Sequence, residues 1–253
     1  MRYVREAIEQ LLLPAECALC HALLSYARAG RVVCDVCRHR WRAVRPPWCG
    51  RCGQPEPHFG PCRLCAEWPA ALQSVRSALW LAEGAQQAVH ALKYSGLPRI
   101  ADDLALALAS LRPRTGGPSG GALIPIPLAP QRLRQRGYNQ SEVLARALAR
   151  TWRIPAIVDL LVRTRETPTQ TALTPGTRLA NVAGAFAVRE SRAGLLTPGC
   201  QPGVNTPWRT LILVDDVFTT GATLAEAARA LAQAGASAIH GVTFARAAIP
   251  DFT

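Results

Sequence analysis

Leu211-Ile-Leu-Val-Asp-Asp-Val-Phe-Thr-Thr-Gly-Ala-Thr223 is the stretch of this 253-residue chain that decides its fold. Four apolar residues, Leu211 to Val214, read as a buried central strand. Asp215 and Asp216 stand at its carboxyl end. A short loop of small residues follows, and a helix begins near Thr223. The carboxyl end of a parallel strand is where open α/β sheets place ligands. The first turn of the next helix offers an anion unpaired backbone N–H groups and the positive end of its dipole. Thr219, Thr220 and Thr223 add hydroxyl donors, and Gly221 lets the backbone come close to a phosphate. The two carboxylates cannot bind phosphate. They suit vicinal ribose hydroxyls, directly or through a Mg²⁺-bound network. A Walker loop is excluded, because its Gly-Lys-Ser/Thr is absent from the sequence. An ordinary capped strand-to-helix turn leaves the paired carboxylates unexplained.

Working outward, the flanking sequence alternates between strand and helix patterns. Ser74 to Leu81 reads as a strand, Ala85 to Leu92 as a helix, and Asp102 to Leu111 as a second helix with Leu104, Leu108 and Leu111 on its apolar face. Ala122 to Pro127 is a short apolar run suited to a buried strand. Asn139 to Thr151 is helical, with Val143, Leu144, Ala147 and Leu148 on one side. Ile157 to Val162 is a further strand candidate. Thr223 to Gln233 is a helix and Ala238 to Ala245 a final strand. Such alternation predicts an α/β fold with a mostly parallel sheet flanked by helices. Arg112 to Gly121 and Thr197 to Pro207 read as long loops from their Gly and Pro content.

Eight of the nine cysteines lie between Cys17 and Cys65, in four Cys-x-x-Cys pairs. These are Cys17/Cys20, Cys34/Cys37, Cys49/Cys52 and Cys62/Cys65. A two-residue gap lets both sulfurs of a pair face one ion, and two pairs complete a tetrahedral Cys₄ site. Sequential pairing puts Cys17, Cys20, Cys34 and Cys37 on one zinc and Cys49, Cys52, Cys62 and Cys65 on another. Crossed pairing satisfies the same spacing. Closed Cys₄ sites are structural rather than catalytic. A disulfide framework would need an oxidising compartment, to which nothing in the sequence directs the chain. His21, His39 and His58 lie nearby but are not needed to complete either set, and Cys200 reads as a free thiol in a loop. The character changes after Leu72, so the expected division is an N-terminal helix and double zinc ribbon at 1–70 and an α/β domain at 71–253.

No apolar run approaches the roughly 20 residues of a membrane helix. Glu6, Glu9 and Gln10 interrupt the N-terminus where a signal peptide would be apolar. A cytoplasmic protein is expected. The formal charge is +12, with 28 arginines and a single lysine, Lys93. Two zinc sites each carrying about −2 would lower the net charge to about +8. That charge favours anionic partners, although arginine-rich coding bias would produce it as well. The most basic stretch, residues 131 to 178, holds nine arginines against Glu142, Asp159 and Glu166.

The segment Val214 to Thr223 resembles the signature of type I phosphoribosyltransferases. Upstream, Leu92-Lys-Tyr94, Ile124-Pro-Ile-Pro-Leu128, Arg132, Arg136-Gly-Tyr-Asn-Gln140 and Arg163-Thr-Arg-Glu-Thr-Pro-Thr-Gln170 occur in order. With the cysteine pairs in front, the chain from Cys17 to Arg246 resembles the ComF family of competence-associated, phosphoribosyltransferase-like proteins. The resemblance implies phosphoribosyl pyrophosphate or a nucleotide as ligand, with Mg²⁺. Asp215, Asp216 and Arg136 would then be catalytic, and Val217, Phe218, Thr219, Thr220, Gly221, Ala222 and Thr223 would hold the phosphoribosyl group. Ile126 to Pro130 would face pyrophosphate through Pro127 and Leu128, helped by Lys93 and Arg132. Pro127 and Pro130 remove two amide donors from that loop, and Arg132, Arg134 and Arg136 could replace them with guanidinium forks. Arg163 to Asn181 would close over the site. Two functions stay open. One is a transferase passing the phosphoribosyl group to a nitrogen base. The other is a non-catalytic nucleotide-sensing module that contacts single-stranded DNA or the competence helicase machinery. The acceptor base and the oligomeric state are not legible.

Overall fold

Strand β5 (Leu211–Phe218) forms because alternate residues are apolar on both faces, and a strand buried on both sides needs two covers. The computed structural model describes residues 15–24, 30–55, 62–113, 121–165, 182–194, 196 and 210–248. The helix expected before residue 15, His58, Cys200, the long loops at 114–120 and 197–209, and the closing segment at 166–181 lie outside those residues.

The main sheet is wholly parallel. β1 (Leu72–Trp80), β2 (Ala122–Pro125), β5 and β6 (Ile239–Arg246) lie side by side in the order β1-β6-β5-β2. One face carries Leu79, Ile212, Val214, Val242 and Phe244. It is covered by α2 (Glu83–Tyr94), α3 (Ile100–Leu108) and α5 (Gln140–Trp152). The other face carries Leu72, Val75, Leu211, Leu213 and Ile239, and α7 (Ala222–Gln233) packs there through Leu224, Ala228 and Leu231. Ser77 and Thr243, buried on neighbouring strands, satisfy each other at 2.7 Å.

Four elements differ from the sequence reading. β5 runs on through Asp215 and Asp216 to Phe218, because β6 pairs with it as far as Arg246. The run at Ile157 to Val162 does not join the main sheet as a full strand. Only Ala156 bridges to Leu123, and β3 (Leu161–Arg163) pairs antiparallel with β4 (Phe186–Val188). The second helix stops at Leu108 and tightens into a 3₁₀ turn over Ala109–Leu111. Finally, a short helix, α4 (Pro130–Arg136), occupies a basic stretch to which the sequence reading gave no element. Pro130 fits its first turn, where the missing N–H costs nothing, and Gly137 ends it in the left-handed region at φ +80°.

The cysteine-rich segment packs directly on this core. Cys17, Val33 and Cys37 join the cluster beneath α3, and Trp41 sits edge-on to Phe244 at 5.2 Å. α1 (Asp35–His39) opens from Cys34, whose sulfur accepts from the Cys37 N–H. Asp103, almost wholly buried on α3, accepts from the backbone N–H groups of Val32 (2.8 Å) and Val33 (3.1 Å). That carboxylate ties the first ribbon to the helical layer. Asp103→Ala should therefore lower stability by about 2–3 kcal/mol, because two amides lose a charged acceptor. Chemical denaturation would register this as a lower midpoint with an unchanged slope.

Candidate functional site

β2 ends at Pro125, opposite Val214, while β5 continues beside β6 for four more residues. The Ile126 N–H still reaches Val214 O at 3.0 Å, and then the chain turns away into α4. The sheet thus opens on one side of β5, and Asp215 and Asp216 occupy the opening. A cleft of about 530 Å³ lies there. Its walls bring together residues far apart in sequence: Lys93, Pro127, Leu128, Arg132, Arg136, Asp215, Asp216, Val217, Thr219 and Thr223. These are ten of the positions singled out from the sequence. Phe218, Thr220, Gly221 and Ala222 do not line the cleft but are buried behind it. Arg134 is exposed and outside the lining, whereas Arg132 and Arg136, four residues apart on α4, share the face turned to the cleft.

The two carboxylates are held differently. Asp216 is buried and meets Lys93 Nζ at 2.5 Å, with Gln140 Nε2 at 3.5 Å from its other oxygen. Asp215 accepts from Ser141 Oγ and from the Asp216 N–H, both at 2.9 Å. Burial and the adjacent Asp216 charge push the Asp215 carboxyl up to about 7, against the pull of those hydrogen bonds and of Lys93. A group poised there changes protonation in the physiological range.

The start of α5 supports this arrangement. Asn139 caps it by accepting from the Ser141 N–H at 3.0 Å, and its amide donates to Ile126 O at 3.0 Å. One side chain therefore fixes both the helix that carries Gln140 and Ser141 and the loop that carries Pro127 and Leu128. Arg136 donates to Gln140 Oε1 at 2.5 Å and lies over the Tyr94 ring at 5.2 Å. At the floor, α7 begins after Gly221, which sits at φ +79° and offers no side-chain cap. Its N-cap position thus contributes no side chain at the end of the helix that favours an anion.

Ser141 as the partner of Asp215, and His90 in the cleft wall, were not assigned to the site from sequence; Arg163, expected only as the start of the closing segment, also lines the cleft. Ser141 read only as a possible helix cap. Its position two residues after Asn139 at a helix start was a usable signal, since first-turn side chains point along the same helix end as the free amides.

The eight clustered cysteines form two sets, Cys17/Cys20/Cys34/Cys37 and Cys49/Cys52/Cys62/Cys65, with all sulfurs of a set within 4.8 Å of one another. This is the sequential pairing; the crossed one does not occur. The closest sulfur pairs, Cys17–Cys37, Cys20–Cys34, Cys49–Cys65 and Cys52–Cys62, lie 3.5–3.9 Å apart. Tetrahedral Zn²⁺ with bonds of about 2.3 Å places its sulfurs about 3.8 Å apart, so the sets fit zinc. These distances are far beyond a disulfide bond. Amides also point at the sulfurs, as from Cys34 and Leu19 to Cys17. Burial pushes the Cys52 and Cys65 thiols up, Cys65 to about 12, a penalty that a dication removes by pairing with the thiolates.

Residues 8–66 match the family model of a double zinc ribbon domain. The chain is 32% identical over 235 residues to the DNA utilization protein YhgH of Escherichia coli (strain K12), covering 91% of this chain and 96% of that protein. Competence protein F of Haemophilus influenzae is 28% identical over 236 residues, with the same coverage. Competence protein ComFC of Bacillus subtilis is 27% identical over 213 residues, or 81% of this chain and 80% of that protein.

Two outcomes are expected. Cys34→Ser should reduce the bound zinc from two ions to one and unfold or aggregate the N-terminal segment; an unchanged metal content and melting curve would contradict the first Cys₄ set. Asp215 binds its proton more tightly folded than unfolded, so the fold loses stability as pH rises from the usual carboxylate range towards 7. Asp215→Asn should therefore melt above the wild type at pH 8, by about 2 kcal/mol in stability, and the difference should close near pH 4.

Proposed function

The chain belongs to the family of the DNA utilization and ComF competence proteins, and from that footing we propose that its cleft binds the 5-phosphoribosyl group of phosphoribosyl pyrophosphate or a nucleotide, in the service of DNA uptake or use. The carrying observation is the placement of Asp215 and Asp216. They sit at the carboxyl end of a parallel strand, beyond the point where its neighbour stops, beside an uncapped helix start and below Arg132, Arg136 and Arg163. In this reading the first-turn amides of α7, with Thr219 and Thr223, take the 5-phosphate. The carboxylates accept from the ribose hydroxyls. Lys93 pairs with Asp216 and holds it in place, and Ser141 orients Asp215. The arginines of α4 and β3 face the diphosphate.

Mg²⁺, when bound with the ligand, would neutralise diphosphate oxygens and so ease departure of the leaving group. The residues at hand do not make a complete site for it alone. Asp216 is already paired with Lys93, and among the described residues the only clusters of metal-ligating type are the two cysteine sets. Any Mg²⁺ at this cleft would be held mainly by the diphosphate of the ligand, with Asp215 beside it. If the sugar is transferred, positive charge developing at its C1 is tolerated beside Asp215 and Asp216 while Arg132 and Arg136 stabilise the departing pyrophosphate. The functional division of the chain follows the change of character near residue 70, with the ribbons before it and the ligand-binding unit after.

A second reading is a non-catalytic sensing module that contacts single-stranded DNA or competence machinery. It is favoured by the names of the relatives, which refer to DNA utilization and competence and not to sugar transfer. The two readings share the ligand and differ in turnover.

Titration calorimetry of phosphoribosyl pyrophosphate with Mg²⁺ tests the shared part. The wild type should bind, and Asp215→Ala/Asp216→Ala should lose at least a hundredfold in affinity. Affinity should also rise severalfold from pH 6 to pH 8 as Asp215 ionises and becomes the better acceptor. Absence of binding to the wild type would remove the phosphoribosyl reading. Release of pyrophosphate on adding a nitrogen base would decide for the transferase.

A further inference from the structure

The loop between β5 and α7 is backed by the second zinc ribbon. Two side chains make the connection. Arg246, the last residue of β6, is fully buried and stands in register with Phe218 on β5 and Trp80 on β1. Its guanidinium lies 4.7 Å from the centre of the Phe218 ring and 5.9 Å from that of Trp80. It also donates to Gly53 O (2.5 Å), Cys52 O (3.2 Å) and Gln54 Oε1 (2.6 Å). One cation thus grips the backbone around a zinc ligand while lying on the aromatic ring that starts the phosphate loop.

Trp68 makes the second connection. It follows the ligand Cys65 by three residues, and its N–H donates to Cys65 O at 3.3 Å. Its carbonyl accepts from Arg51, which also donates to Cys65 O. The indole sits edge-on to Phe218, with centroids 6.2 Å apart and planes at 68°. It also presses on Gly221, where a Cβ would stand 2.4 Å from Trp68 Cζ2. Gly221 is therefore glycine for two reasons, its φ of +79° and the indole against it. The first ribbon is anchored elsewhere, through Asp103 to α3.

We propose that Trp68 and Arg246 are positioning residues through which the second Cys₄ site sets the shape of the phosphate loop, so that zinc at that site and a phosphoribosyl ligand in the loop strengthen each other's binding. The proposal rests on the phosphoribosyl reading above. Its basis is that Phe218 and Gly221, at either end of the loop, pack against side chains that the second ribbon holds in place. Coupling of this kind is reciprocal: whatever the ribbon does for the ligand, the ligand must do for the ribbon.

The test follows zinc leaving the full-length, two-zinc protein. A zinc-selective chromogenic chelator is added in the presence of Mg²⁺, with and without saturating phosphoribosyl pyrophosphate. The ligand should slow release of one zinc at least tenfold and leave the other unchanged. Trp68→Phe keeps a ring on Phe218 but withdraws the indole edge from Gly221. It should retain two zincs, lose most of that protection, and bind the ligand about tenfold more weakly. A role in packing alone would not tie one zinc to the ligand. Calorimetric binding by the wild type with both zincs leaving at ligand-independent rates, or with both slowed equally, overturns the coupling and spares the phosphoribosyl reading. No binding by the wild type overturns the reading and the coupling together.

Discussion

Two adjacent carboxylates at the end of a buried strand repel each other, and most of the cleft is built around that repulsion. Left alone, Asp215 and Asp216 would hold a proton between them or draw water into the sheet. Lys93 settles one charge by direct ion pairing, and Ser141 with the Asp216 amide settles part of the other. The result is asymmetric. Asp216 is buried with its counter-ion, while Asp215 keeps a raised affinity for its proton. A polar ligand that donates hydroxyls to this pair relieves a strain already present in the fold. Under the proposed function, the stability lost by placing both acids there is the ordinary cost of a site ready before its ligand arrives.

The same requirement explains why the ribbons are not a loose appendage. A loop that presents backbone amides to an anion must be rigid, yet Thr219, Gly221 and Ala222 are too small to pack themselves. Phe218 packs beneath them, and Trp68 and Arg246 lie behind Phe218 and Gly221. The cysteine sets hold that backing surface with only a few dozen residues, too few for a hydrophobic core of their own, which is the usual role of structural zinc in small units. Asp103 does for the first ribbon with two backbone hydrogen bonds what Arg246 does for the second.

Much of this was legible in the sequence where the signal is local. The strand ending in two acids, the four Cys-x-x-Cys pairs and the amphipathic run after Asn139 each announce themselves within about a dozen residues. So does Lys93, through its isolation among arginines. What could not be read depends on partners far along the chain. β5 extends past Val214 because β6 continues beside it, and nothing within β5 reports that. Ile157 to Val162 has the composition of a central strand, but the edge beside β2 accepts only the single bridge at Ala156, so the run forms a separate pair with Phe186–Val188. Trp68 and Arg246 looked like ordinary residues at the ends of segments. Their contacts appear only once Trp68 meets Phe218 and Arg246 meets Cys52, 194 positions away in the chain. α4 is a different case: Pro130 at its start and Gly137 at its end are helix punctuation within the sequence itself.

That short helix also resolves an apparent defect of the site. Pro127 and Pro130 take amide donors out of the stretch expected to meet pyrophosphate, which on its own argues against tight binding of a diphosphate. Yet Pro130 is also the residue that starts α4, its fixed φ being suited to the first helical turn. A helix, unlike a turn, puts Arg132 and Arg136 on one face and sends Arg134 to the other. The backbone donors removed by proline are thereby exchanged for two guanidinium groups aimed into the cleft. Amides in a rigid loop are fixed dipoles matched to one geometry. Guanidinium groups on long side chains carry full charge and adapt. Such an exchange supplies, for the proposed ligand, charge and bidentate donors where the backbone can offer few.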